Sequence, residues 1–113
     1  MMNGYDKQEA LAFIVRRIHA KDHPALAGQI EMLIRQAIDA DMAYMHASGV
    51  LDEDGNAGDG YYEDDEAFEE IVEVLAEQNS LSGEQAVKAA SLVADYMELQ
   101  QAYLEQKGLV DWE

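Results

Sequence analysis

The densest chemistry in this sequence lies in residues 49–63, Gly-Val-Leu-Asp-Glu-Asp-Gly-Asn-Ala-Gly-Asp-Gly-Tyr-Tyr-Glu. Counted from Asp52, the side-chain oxygens of Asp52, Asp54, Asn56 and Glu63 fall at the first, third, fifth and twelfth positions. A hard cation needs several oxygens around one centre, and a bidentate carboxylate closing the loop completes such a cage. Asp52, Asp54, Asn56 and Glu63 are therefore candidate metal ligands, and calcium is the cofactor this spacing suits.

The same twelve residues partly resemble an EF-hand calcium loop, which uses those positions for its ligands. They also depart from it. Ala57 stands where the sharp turn wants glycine, Asp59 where an apolar residue belongs, and Gly49 ends the entering helix early. The plainer reading is a solvated loop with a turn at Asp54-Gly55. No other motif carries chemistry. His19, His23 and His46 have no ligand partners at bundle spacing and read as surface or turn residues. Ser82 reads as a helix cap, and Ser48, Ser80 and Ser91 have no matched base. There is no phosphate-binding glycine loop and no cysteine. The expectation is a protein that is not an enzyme.

Charge points to binding instead. The chain carries a formal net charge of −17. Residues 1–47 hold five bases against six acids, whereas 48–113 hold two against 18. Residues 48–77 contain 12 acids and no base. Such a field repels phosphate backbones and anionic membranes and attracts basic proteins. The expected function is a non-enzymatic, acidic protein-interaction or regulatory module that binds a basic partner surface, with mimicry of nucleic-acid charge as a special case. Asp59, Tyr61, Tyr62, Asp64, Glu66, Glu69, Glu70 and Glu73 are the candidate partner-binding residues, the tyrosines offering contact area at low entropic cost. Calcium binding is the second reading. A homodimer is the third, with Arg16, Arg17 and Lys21 of one copy facing the acidic half of another. Residues 1–7 lack a basic region leading into an apolar run, and no stretch is long and apolar enough to span a membrane. The expected location is cytoplasmic.

These residues must be positioned by helices. Apolar residues recur at three and four, and Pro24 is the one proline. Helix one is expected over 6–20, capped by Asp6, with Leu11, Ile14, Val15 and Ile18 inward. Helix two is expected over 24–48, opened by Pro24, with Leu26, Ile30, Leu33, Ile34, Ala37, Ile38, Tyr44 and Met45 inward and Gly49 ending it. Helix three is expected over 65–78 with Phe68, Ile71, Val72 and Leu75 inward. Helix four is expected over 83–107, with a capping box at Ser82 and Gln85 and a stop at Gly108. Its stripe is Leu92, Val93, Tyr96, Met97, Leu99, Tyr103 and Leu104. Asp41 and Gln100 interrupt two of the stripes, and both are placed at the wet edge.

The halves repeat. Shifting the first helix by 57 residues places Glu9-Ala10-Leu11 on Glu66-Ala67-Phe68 and Ile14-Val15 on Ile71-Val72. Shifting the second by 59 places Ala43-Tyr44-Met45 on Ala102-Tyr103-Leu104 and Gly49 on Gly108. Ordered self-similarity of this kind is the mark of an internal duplication, here about 6–52 and 63–111 within a single domain 1–113. One helical hairpin exposes an apolar face, and two can close those faces on each other. The expected fold is all-α, a four-helix bundle of two tandem αα-hairpins with a Gly/Asp-rich irregular loop between them. Val50-Leu51 and Leu109-Val110, apolar pairs just past the stopping glycines, are expected to fold back onto the core and to have room for a minimal β-bridge.

Overall fold

A computed structural model describes residues 5–50, 60 and 62–108, without the side chains of Ala20, Ala25 and Ala27. Four α-helices form the bundle: α1 (Lys7–Arg17), α2 (Ile30–Ala47), α3 (Asp64–Gln78) and α4 (Glu84–Gln106). Helix α2 packs against α1 and α3, α4 packs against α3 and α1, and α2 meets α4 across the short diagonal. No strand or bridge occurs among the described residues. The expected β-bridge falls on Leu51, Leu109 and Val110, which lie outside them. Val50 is described and packs, half-buried, against the core.

The apolar stripes meet as their spacing requires. Leu11 and Ile14 of α1, Leu33, Ile34 and Ile38 of α2, Ile71 and Leu75 of α3, and Leu92 and Val93 of α4 are buried in one cluster. Asp6 caps α1 by accepting a hydrogen bond from the Glu9 amide at 3.1 Å. Gly49 and Gly108 follow α2 and α4 with φ of +82° and +69°, the left-handed stop expected of them.

The element ends differ from expectation in four places. Helix α1 stops at Arg17 because Ile18 turns extended. Residues Pro24–Gln29 form a 3₁₀ turn, and α2 starts only at Ile30. Gly28 contributes no side chain to hold an α-turn there, and Gln29 leaves the helical region. Glu63, in extended conformation, precedes α3, whose first turn gathers Asp64, Asp65 and Glu66 at the positive end of the helix dipole.

The fourth is the capping box at Ser82, which does not form. The residue before α4 is Gly83, at φ +55°, with no side-chain cap. The α3–α4 turn is made by backbone instead. The Leu81 amide donates to the Ala76 carbonyl at 2.8 Å, closing a Schellman end on α3, with Ser80 at φ +53° in the position usually held by glycine.

Candidate functional site

The stripe interruptions Asp41 and Gln100 are not at a wet edge. Asp41 is 1% exposed and Gln100 3% exposed, and the Tyr96 hydroxyl links them. Burial of a carboxylate is costly unless donors meet it. Two phenols do. Tyr62 donates to Asp41 Oδ1 and Tyr96 donates to Asp41 Oδ2, each at 2.7 Å. The Gln100 amide donates to the Tyr96 hydroxyl at 3.2 Å and to the Tyr5 hydroxyl at 2.8 Å. No buried side-chain oxygen or nitrogen among the described residues lacks a partner. Burial pushes the Asp41 carboxyl upward, against the pull of the two tyrosine bonds. Burial also raises the phenols of Tyr5, Tyr62 and Tyr96, and the nearby Asp41 charge adds to each, so all three remain protonated donors.

This network repeats at the same sequence offsets as the helices. Tyr5 and Tyr62 are 57 apart, and Asp41 and Gln100 are 59 apart. Tyr5 bonds Gln100 and Tyr62 bonds Asp41. Tyr103 stands edge-on to Tyr5 at 5.6 Å, and Tyr44, 59 residues earlier, stands edge-on to Tyr62 at 5.6 Å. Tyr96 lies between the two halves and bonds both Asp41 and Gln100. Its counterpart at the same offset is Ala37, which is buried as well.

Above Asp41 a cleft of about 310 Å³ opens to solvent, near the lower end of ligand-pocket sizes. Its apolar wall is Met45, Val50, Met97 and Leu104. Asp64 and Glu98 line it as well, with Asp41, Tyr62 and Gln100 beneath. Of α3, Asp64 at its first turn is the residue that lines the cleft. Asp64, Glu66, Glu69, Glu70 and Glu73 are all exposed, and α3 carries no base. The last four share one face by their three- and four-residue spacing.

The remaining candidates divide. Tyr62 is half-buried and its hydroxyl is committed to Asp41, so it is a wall of the cleft, not a free anchor. Asp59 and Tyr61 lie outside the described residues, as do Asp52, Asp54 and Asn56. Glu63 is exposed, and its carbonyl accepts from the Tyr44 hydroxyl at 3.5 Å. Gly49 and Gly60 pin the ends of the intervening segment, with the Gly60 amide donating to the Gly49 carbonyl at 2.8 Å. His23, read as a surface or turn residue, is buried instead. Its Nε2 lies 2.6 Å from Asp95 Oδ2 on α4, a partner 72 residues away that no local spacing announces. Among the described residues no cluster of three potential metal-binding side chains occurs, and no helix is long and apolar enough to cross a membrane. Compared with protein families, with curated proteins and with solved structures, the chain finds no match.

Proposed function

We propose that the chain is a non-enzymatic interaction module whose α3 face binds a basic protein surface. The observation that carries this reading is the set of exposed carboxylates on α3, unrelieved by any base on that helix. Electrostatic complementarity of this kind steers association and fixes register, and it weakens as salt rises. The halves 6–52 and 63–111 are read as copies of one hairpin. The paired Tyr5–Gln100 and Tyr62–Asp41 contacts support that reading.

The test uses a lysine-rich amphipathic helical peptide titrated by calorimetry at low and high salt. One variant carries Glu66→Gln, Glu69→Gln, Glu70→Gln and Glu73→Gln. A control removes the same charge elsewhere, with Asp22→Asn, Glu31→Gln, Glu84→Gln and Glu105→Gln. Binding should weaken about tenfold or more in the α3 variant, the scale of losing charge-assisted contacts, and much less in the control. Equal loss in both variants would mean that net charge alone attracts the peptide and that α3 is no binding face.

A further inference from the structure

One of the differences between the two halves lies in a pair of charged positions, and it falls at the cleft. In the first half Lys7, at the start of α1, makes an ion pair with Asp39 on α2. Moving 57 residues along from Lys7 gives Asp64, at the start of α3, and moving 59 from Asp39 gives Glu98, on α4. Where one half has an ammonium against a carboxylate, the other has two carboxylates, and both line the cleft. Neither is paired with a base among the described residues.

The residues beneath follow suit. Tyr5 is 6% exposed under the Lys7–Asp39 pair, whereas its counterpart Tyr62 is only half-buried. Ile38 is wholly buried, whereas its counterpart Met97 is half-buried. The first half carries a lysine there whose head meets an acid, and lysine stems commonly cover apolar surface. The second half lacks that lysine and lies open. The segments outside the described residues, 1–4, 51–59, 61 and 109–113, contain no lysine or arginine with which to supply it.

We propose that the cleft receives a lysine side chain of the basic partner, its aliphatic stem along Met45, Met97 and Leu104 and its ammonium between Asp64 and Glu98. The inference rests on the interaction-module reading and adds the anchor that the α3 face alone does not specify. Charge and shape together select this occupant. An apolar wall suits the methylene stem, and an acidic mouth rejects carboxylates and leaves an uncharged chain without a partner for the acids.

The test uses hexylamine as a probe, with hexanol and hexanoate as controls. Methyl signals of Met45, Met97 and Leu104 are followed by NMR at pH 7 in the full chain. Hexylamine should shift them saturably, hexanol should bind about tenfold more weakly for want of the charge-assisted bond, and hexanoate should not bind. Asp64→Lys should place an internal ammonium beside Glu98, raise the melting temperature and abolish the hexylamine shifts. The α3 variant, which leaves Asp64 and Glu98 intact, should lose the peptide yet keep hexylamine. Retained peptide binding with no response to hexylamine would overturn the lysine anchor while leaving the acidic face standing. Three further results would overturn it too: equal shifts from hexanol; contacts of the Trp112 indole with the Met97 methyl in the free protein; or a dimeric mass lost on Asp64→Lys, which would assign the cleft to a second copy.

Discussion

Asp41 holds its place in the core because Tyr62 and Tyr96 each give it a proton to accept. Removing one donor leaves a carboxylate oxygen short of a partner. Tyr96→Phe should therefore destabilise the fold by about 1–3 kcal/mol in urea unfolding, the cost of orphaning a buried acceptor. Asp41 also titrates in a defined direction. Its carboxyl is raised in the folded state by burial, so folding favours the protonated form. The stabilisation that protonation brings is fully present below the unfolded carboxyl's pKa and is lost as pH rises through the folded value. The stability of the native protein relative to Asp41→Asn should accordingly increase between pH 7 and pH 4. A difference that stays flat across that range would mean that the carboxyl is not raised. The sequence did reveal that Asp41 and Gln100 break two stripes at matching positions. It did not reveal their burial, because the deciding partners Tyr5 and Tyr62 precede α1 and α3 and belong to neither stripe. Nor did it place His23, whose partner Asp95 is far along the chain.

At the scale of elements, the interior of each helix was legible, as were the ends set by Asp6, Gly49 and Gly108, but the other ends were read less well. Period-3.6 patterning reports a long apolar face, which tertiary packing then uses. Ends depend on one or two backbone angles. Ser82 and Gln85 have the right types for a capping box, yet the turn from α3 is settled by the left-handed Ser80 and by Gly83. A non-glycine residue in that conformation costs about 1–2 kcal/mol. Ser80→Gly should relieve it and stabilise the protein by about 1 kcal/mol in thermal or chemical denaturation, less what the freer unfolded chain takes back. The neck at Gly49 and Gly60 makes the opposite demand. A Cβ on Gly60 would lie 2.1 Å from the Ser48 carbonyl oxygen, a clash with backbone that no rotamer relieves. Gly60→Ala should cost about 1–3 kcal/mol, the range for forced overpacking. Unchanged stability in that variant would mean that the α2 end and the approach to α3 do not touch. The calcium reading depends on Asp52, Asp54 and Asn56, inside that neck, together with Glu63 just outside it.

Over the whole molecule, two hairpins of similar sequence pattern pack into one bundle. Matching positions build much of the core and the tyrosine pairs, and Tyr96, whose counterpart is Ala37, links them. Lys7 pairs with Asp39 on one side, and Asp64 and Glu98 line an open cleft on the other. The fold class was readable because four stripes of this width can be buried together as a bundle. The charge asymmetry was readable from counting. The cleft was not, because it arises where two equivalent positions differ in sign, and that contrast matters only once the helices are paired. A basic partner bound along the α3 carboxylates, with one lysine in the cleft at the start of that helix, would leave its mark on both. An amide and methyl chemical-shift map of the full chain, titrated with the lysine-rich peptide at low salt, tests this. Shifts should concentrate on Asp64, Glu66, Glu69, Glu70 and Glu73 together with the Met45 and Met97 methyls, all fading as salt is raised. Shifts confined to α1, or undiminished in high salt, would contradict it.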